Sequence, residues 1–261
     1  IALNDGSGSH APIAPLALER LADFGLMASL NANMWSPDSK TQKLLRSTQC
    51  QLWMKETFNP GSVAISCGQQ DENEVLIWTG NFRHGFYGSE LPTIRAAGLV
   101  NMSARSLMEL MVDSSRVKEY NKFSVGREDI VTFQDNMNTN GPFGRSITKV
   151  MKSETRPPMV RKTVAFVSIL HAKELADGSG YLIVSRAVHH PEEEGALSSA
   201  TKSEILMGVN VIRTVKGFED SHCLMVNVNH IRSPMIPMML AKRIGLSAAV
   251  GFINDIRGLC Q

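Results

Sequence analysis

The chain has 261 residues, of which 43% are hydrophobic and 20% charged, and its formal net charge is +2. This balance is typical of a globular protein and excludes a general nucleic-acid binder, which would carry a marked excess of positive charge. The four cysteines form no CxxC pair, so the sequence favours neither a zinc site nor a disulfide framework and indicates a reducing compartment.

No apolar run reaches the roughly 18 residues that a membrane span needs, and the N-terminus lacks the order of a signal peptide. We therefore expect a cytoplasmic protein. It begins at Ile1 rather than at methionine, which permits a longer parent chain, and the run DGSGSH predicts a flexible linker over residues 1–10. A helical segment over residues 11–58 and a main domain over residues 59–261 complete the predicted organisation.

Two helices are predicted in the segment that follows the linker. Leucines recur at helical spacing from Ala11 to Asn31, after two prolines. The second helix begins at Ser36-Pro37-Asp38, an N-cap with a proline and an acidic first turn, and runs to Phe58, where Asn59-Pro60-Gly61 ends it.

The period then changes from helical to two, which predicts strands. Three are expected over residues 62–68, 74–83 and 91–101, followed by a helix over 104–112 capped by Ser103 and a turn or two over 114–121. Six longer strands follow over residues 126–135, 145–153, 162–174, 180–190, 203–216 and 221–231. Because the connections are mostly hairpin turns, the sheet of about nine strands should be mainly antiparallel.

A long helix is predicted at the end of the chain. Pro234 and Pro237 suit a first turn, so the helix should begin near Ile236. Its apolar positions recur every four residues along a wide stripe. A large sheet must cover one face, and this helix is the only large element left to cover it, so we expect an α+β fold in which a curved antiparallel sheet wraps around the C-terminal helix. Such a sheet can enclose a cavity.

The order of these elements and several local runs resemble the START family, the lipid-binding domains related to steroidogenic acute regulatory protein, which have a helix-grip fold. The resemblance extends from about Gly61 to Arg257. The runs that carry it are Leu110-Met111-Val112-Asp113 followed by Arg116 and Tyr120, then Pro157 to Arg161, Phe166-Val167-Ser168, Ser185 to Pro191, and Val228-Asn229-His230 leading through Ser233 to Pro237.

The chain also departs from the family pattern. Tyr120-Asn121 stands where the family has Trp-Asp, and the arginine that the family often buries in its cavity falls on Val167 or Leu170. An arginine before the glycine of the eighth strand is absent from Ile205-Leu206-Met207-Gly208. These changes predict a more apolar cavity and favour a neutral or weakly polar ligand.

The resemblance implies that the protein holds one lipid in its cavity and carries or senses it between membranes, without catalysis or a cofactor. Strand alternation places Val164, Phe166, Ser168 and Leu170 on one face of their strand. It likewise places Met225, Asn227 and Asn229 on one face of the last strand. Ser168, Asn227 and His189 are candidates to meet a headgroup, although each could instead face solvent or bond the backbone. The predicted lipid-binding set is Met151, Val164, Phe166, Ser168, Leu170, Val184, Met207, Met225, Asn227, Met239, Ile244 and Phe252.

A buried cavity needs an entrance, and the resemblance implies that the loop over residues 155–161 packs on the final helix and opens at a membrane. The loop offers an apolar tip beside cations, the composition of a segment that visits a bilayer transiently. An ordinary proline-stiffened loop would have the same sequence. The predicted membrane contacts are Pro157, Pro158, Met159, Val160 and Arg161.

Two other functions remain open. Some proteins of this architecture are cavity enzymes, such as cyclases or hydrolases, but the sequence has no GxSxG, HExxH or Walker motif. The chain could also be a lipid-sensing module of a larger protein. His189-His190 beside Glu192 to Glu194 favours a charged loop end over a metal site, so no metal is predicted. The expected partners are one lipid (sterol, phospholipid, ceramide or carotenoid) and a transient membrane surface, with no nucleic acid, and the protein should be a monomer.

Overall fold

The computed structural model describes residues 13–46, 48–64, 74–83, 88–157, 162–188 and 203–260. Within these ranges one nine-stranded sheet has the order β1-β2-β3-β9-β8-β7-β6-β5-β4, and every pairing of neighbouring strands is antiparallel. The predicted fold class is confirmed. The strands are β1 (Ser36–Pro37), β2 (Leu76–Asn81), β3 (Pro92–Val100), β4 (Ser124–Gly141), β5 (Gly144–Thr155), β6 (Val164–Glu174), β7 (Gly180–Ala187), β8 (Glu204–Thr214) and β9 (Cys223–Arg232).

The helices of the described ranges are α1 (Pro15–Leu30), α2 (Ser39–Leu44), α3 (Thr48–Phe58), α4 (Ala104–Val112), α5 (Val117–Tyr120) and α6 (Met238–Arg257). Two 3-10 turns cover Ala32–Met34 and Ser114–Arg116. The structure confirms α4 with its predicted bounds, and the Ser103 hydroxyl accepts a hydrogen bond from the Ser106 N–H at 3.1 Å. Among the described helices, none is both long enough and apolar enough to cross a membrane.

Helices cover both faces of the sheet. On the inner face α4 packs on β7 and β8, and α6 packs on β3, β9 and α5. On the outer face α1 packs on β7 and β8, where its buried Leu21, Ala22 and Ala28 join the apolar side chains of the central strands. The central strands are therefore covered on both sides, which explains their nearly continuous apolar runs.

Two predictions for the first 64 residues were wrong in detail. The expected strand over residues 62–68 is described only to residue 64, where Val63 makes a single parallel bridge to Val215; the ninth strand of the sheet is instead β1. The expected helix over residues 36–58 is two helices, because its two ends are held by different partners. The Thr41 hydroxyl in α2 accepts a hydrogen bond from the Ile77 N–H at 2.7 Å, which fixes α2 against β2.

The end of α3 is held by two buried arginines of the outer face. Arg95 donates to the Thr57 and Ser29 carbonyls at 2.6 and 2.9 Å, and its guanidinium lies 3.8 Å from the ring centroid of Phe58. Arg213 donates to the Glu56 carbonyl at 2.8 Å. Cations at a helix C-terminus stabilise its unpaired carbonyls. Burial, followed by the charge of Arg213, lowers the pKa of Arg95 well below its ordinary value.

The final helix approaches β3 closely because two glycines leave room for it. A Cβ on Gly98 would lie 2.9 Å from Cγ2 of Ile253, and a Cβ on Gly245 would lie 2.9 Å from Cγ1 of Ile94. Real Cβ atoms do not approach so closely, so each glycine lets helix and strand come together where a larger residue would separate them. This contact fixes α6 over β3 and β9, so that the main packing of the helix does not extend to β5 to β8.

We expect Gly98→Ala to lower the free energy of unfolding by about 1–3 kcal/mol, because the added methyl group overpacks the contact with Ile253. Urea unfolding followed by circular dichroism measures this. Gly126→Ala in β4 is the matched control, since a Cβ there meets only Lys118 Cε at 4.0 Å. An equal loss in both variants would show that the β3–α6 contact tolerates the methyl group.

Candidate functional site

A cavity of about 320 Å³ lies between α6 and the inner face of the sheet. At one end of the sheet its lining includes residues at the termini of four strands, together with Ile236 just before α6. The four are Pro92 of β3, Thr155 of β5, Ile205 of β8 and Ile231 of β9. We call this end of the sheet the mouth end. At the opposite end α4 and the last turns of α6 close the interior with a continuous apolar core.

Six of the predicted lipid-binding residues line this cavity: Met151, Phe166, Leu170, Asn227, Ile244 and Phe252. They come from β5, β6, β9 and α6, so the cavity lies where strand alternation and the helical stripe together place it. The arginine that the family pattern leads one to expect on β6 is replaced at the cavity by Leu170, whereas Val167 is on the other face and partly exposed.

Three further predicted residues are buried on the same inner face without lining the cavity. Val164 is paired with Thr155, and Ser168 with Met151, both of which are lining residues. The Ser168 hydroxyl is buried and has no hydrogen-bond partner. Met225 is fully buried in the inner core beside Gly98.

Two predictions are corrected by the register of the sheet. Val184 and Met207 point to the outer face, where they pack in the core beneath α1. Val184 belongs to a strand that is apolar on both faces, so its sequence does not distinguish them. In β8 a bulge between Ile205 and Met207 places two residues of β8 against one of β9, and it turns Met207 outward while Ile205 lines the cavity.

A third correction concerns Met239, which was predicted to line the cavity from α6. It is 87% exposed, and Met238 beside it is 53% exposed. The first turn of the helix is apolar on every side, so the repeat every four residues does not identify its buried face. The buried face at this end runs through Ile244, whereas Met239 points to solvent at the mouth end.

The predicted membrane loop is described only at its start. Pro157 lines the cavity. The rest of the predicted membrane contacts lie outside the described residues: Pro158, Met159, Val160 and Arg161. So does the His189-His190 pair, which includes the headgroup candidate His189. Within the part of the chain that the structure describes, no cluster of three or more His, Cys, Asp or Glu side chains could hold a metal ion.

The central strands contribute polar side chains that the sequence analysis did not select. Asn210 in β8 and Asn229 in β9 line the cavity on either side of Asn227. Asn227 Nδ2 donates to Asn210 Oδ1, and Asn229 Nδ2 donates to Asn227 Oδ1, both at 2.6 Å. Ser185 in β7 also lines the cavity. The alternation that selected Asn227 also placed Asn229 on its face, whereas Asn210 could be found only with the pairing of β8 and β9 known.

A second polar group lies where α4 and α5 meet β4. Arg127 lines the cavity and donates to the Met111 carbonyl at 2.8 Å and to the Ser114 hydroxyl at 3.0 Å. The Tyr120 hydroxyl donates to the same carbonyl at 3.2 Å. Burial raises the pKa of Tyr120, and the nearby Arg127 partly opposes that shift. Arg127 is thus engaged with the C-terminus of α4.

The two halves of α6 are held differently. Near its C-terminus, the nearly buried Asp255 accepts hydrogen bonds from the Lys122 N–H at 3.0 Å and from its ammonium at 2.9 Å. Arg257 donates to the Leu99 carbonyl at 2.7 Å. The N-terminal turn instead carries the exposed Met238 and Met239. Among the described residues, the half that covers the mouth end therefore has fewer side-chain hydrogen bonds and ion pairs than the C-terminal half.

Chemically, the cavity is suited to binding. Among its described lining residues Tyr120 and Arg127 are the groups that ionise, and the polar remainder are hydroxyls and amides. A serine or threonine hydroxyl acts as a nucleophile only beside a general base, and the described lining holds hydroxyls but no carboxylate, imidazole, amine or thiol to serve as that base. The remaining wall is mainly aliphatic and aromatic.

Comparison with known proteins agrees with this geometry. No family model and no curated protein sequence matches the chain. Solved structures do match: human StAR-related lipid transfer protein 5 is 12% identical, with a TM-score of 0.65 over 94% of this chain and 95% of that one. Human STARD10 is 14% identical, with a TM-score of 0.55 over 86% and 80%. The lipid transfer and protein localization domain of human StarD13 is also 14% identical, with a TM-score of 0.54 over 86% and 98%. The chain therefore has the helix-grip fold of the START domains.

Proposed function

We propose that the protein binds one lipid molecule in its internal cavity and exchanges it with a membrane surface, without chemical change to the lipid. The single observation that supports this most strongly is the mainly apolar cavity between α6 and the sheet. The described lining residues offer hydrogen bonds and no free acid or base, which favours binding over a cyclase or hydrolase reaction. The names of the similar human structures refer to lipid transfer, and the proposal extends that role to this chain. The protein would act in the cytoplasm as a monomer.

The size of the cavity favours a compact lipid. A volume of about 320 Å³ is at the low end of the roughly 300–1,000 Å³ typical of small-molecule sites. Each methylene taken out of water contributes about 0.8 kcal/mol, so about ten of them supply some 8 kcal/mol before the costs of association. A sterol or a single-chain lipid fits this range better than a two-chain phospholipid.

The first test fills the cavity. Ala248→Trp introduces an indole where Ala248 lines the cavity, whereas Ser247→Trp places the same group on the exposed side of α6. We expect the first variant to retain at least about tenfold less lipid than the wild type, since about 1.4 kcal/mol of lost affinity suffices. The control should retain the wild-type amount. Lipid is extracted from each purified protein and quantified by mass spectrometry. Equal amounts in all three proteins, or none in the wild type, would contradict internal lipid binding.

The surface around the mouth end supports contact with a bilayer. Ile231, Met235, Met238 and Met239 are exposed apolar side chains close in sequence to the cavity-lining Ser233 and Ile236. The exposed cations Lys242 and Arg243 follow one turn later along α6. Apolar side chains flanked by cations favour binding to membranes with anionic headgroups. We propose that this surface, together with the loop that begins at Pro157, faces the membrane during exchange.

The second test addresses this surface. We expect Met239→Asp to slow lipid transfer between anionic vesicles about tenfold or more, because it removes an inserting side chain worth up to about 1.5–3 kcal/mol and adds a repelled charge. Leu16→Asp is the matched control, since Leu16 is also an exposed apolar residue but lies on α1, on the outer face. Transfer of a fluorescent lipid is followed by resonance energy transfer. Both variants should unfold at the same temperature as the wild type. Wild-type transfer rates in Met239→Asp would remove α6 from the membrane contact, and no transfer by the wild type would favour lipid sensing.

A further inference from the structure

The three asparagines of the cavity form a chain with a definite direction, which we call the asparagine ladder (Asn229, Asn227 and Asn210). Asn229 donates to Asn227, and Asn227 donates to Asn210. Each bond uses the amide nitrogen of one residue and the amide oxygen of the next. Two amide groups are therefore left at the ends: the oxygen of Asn229 accepts, and the nitrogen of Asn210 donates.

Both ends of the ladder are available to a ligand. Asn210 and Asn229 line the cavity. Within the described ranges neither the Asn229 oxygen nor the Asn210 nitrogen has a hydrogen-bond partner in the protein at its free end. Neither atom is among the side-chain atoms that are fully buried without a partner. Leaving a polar group desolvated without a partner costs about 1–3 kcal/mol, so an apolar ligand that covered these groups would bind less well than one that satisfies them.

A serine hydroxyl lies beside the acceptor end. Ser185, Gly208 and Asn229 form one row across β7, β8 and β9, because Ser185 pairs with Gly208 and Gly208 pairs with Asn229. A Cβ on Gly208 would overlap with the Ser185 hydroxyl, so that hydroxyl occupies the space above the glycine, between β7 and β9. The row thus adds, in the same cross-strand row as Asn229, a hydroxyl that can donate or accept.

The two strands that carry the ladder add no charged side chain to the described cavity lining. The cation of that lining, Arg127, stands on β4, five strands from β9 in the sheet, where it donates to the Met111 carbonyl and the Ser114 hydroxyl. Moving an unpaired carboxylate or phosphate from water to such a site costs several kcal/mol. A neutral hydroxyl pays no such cost, and it both donates and accepts.

We infer that the asparagine ladder selects a neutral lipid alcohol, whose hydroxyl donates to the Asn229 oxygen and accepts from a neighbouring donor of the ladder or from Ser185. This deepens the proposed function and rests on it. The selection has two parts: against anionic lipids by the missing counter-charge, and against hydrocarbons and ethers by the acceptor that they leave unpaired. Sites built to bond a hydroxyl discriminate strongly against analogues that lack it.

The test offers the wild-type protein four lipids of similar chain length in competition. Neutral phosphatidylcholine vesicles carry equal mole fractions of hexadecan-1-ol, hexadecyl methyl ether, hexadecanoate and hexadecane. The protein is separated from the vesicles, and its bound lipid is extracted and quantified. We expect the alcohol to exceed each of the other three by at least about tenfold, which corresponds to about 1.4 kcal/mol. This measurement needs no variant, so a folding defect cannot obscure it.

Variants then assign the preference to the ladder. Replacing the whole ladder (Asn210→Leu, Asn227→Leu and Asn229→Leu together) removes every amide while preserving the approximate size of each side chain. The change at Asn229 alone would leave the Asn227 oxygen as a new free acceptor. The triple variant should abolish the preference for the alcohol over the ether. Asn140→Leu, the same kind of change at an exposed residue of β4 outside the cavity lining, is the control and should keep the wild-type preference. Circular dichroism checks that both variants are folded.

The outcomes separate the two claims. Equal binding of all four lipids, preferential binding of hexadecanoate, or an unchanged preference in the folded triple variant would overturn the ladder's role and leave internal lipid binding intact. If the wild type binds none of the four, the lipid extracted from it in the first test decides. A neutral alcohol there would support the inference, an anionic lipid or a hydrocarbon would contradict it, and an empty extract would contradict the proposed function itself.

Discussion

The close approach of α6 to β3 is the constraint on which the rest of the site depends. Gly98 and Gly245 bring helix and strand together, and Ile253 packs into the space that Gly98 leaves. Because the helix packs mainly on β3 and β9, it leaves the inner face of β5 to β8 less covered, and α4 fills the far end of that gap. The cavity is what remains. Side chains in a protein interior normally interdigitate with few voids, so a space of about 320 Å³ follows from the backbone arrangement and not from one missing side chain.

The polar groups inside this space are arranged so that they do not oppose burial. The Asn210–Asn227–Asn229 chain satisfies its internal amides, and Arg127 and Tyr120 share the carbonyl of Met111 at the C-terminus of α4. A buried network is stable when its members bond one another, and its open ends then determine what else can bind. The outer face follows the same rule, since Arg95 and Arg213 bond the last carbonyls of α3 and hold the N-terminal helices over the sheet.

Much of the fold and about half of the candidate site could be predicted from the sequence, and the failures have physical causes. Alternation along β6 correctly placed Phe166 and Leu170 because its neighbours on the opposite face are polar or exposed near the mouth end. It failed for Val184, since α1 covers the outer face and both faces of β7 are apolar, and for Met207, since a bulge reverses the alternation. Met239 was misplaced because the first turn of α6 is apolar all round. Arg127 was missed because its inward direction depends on the irregular pairing of β4 with β5, which no local pattern reports.

The unequal anchoring of α6 offers a physical reason for the membrane in the proposed exchange. Its C-terminal half is tied by Asp255 and Arg257, whereas its N-terminal half covers the mouth end with Ile236 and Ala241, which line the cavity. Moving that half away in water would expose these side chains and the lipid itself, at about 25 cal/mol for each Å² of apolar surface. A partner shifts such an equilibrium only by binding the open state more tightly than the closed one. The exposed methionines are available in both states and so provide attachment alone. The apolar surface uncovered on opening is present only in the open state, so a bilayer that solvates it favours opening where water does not.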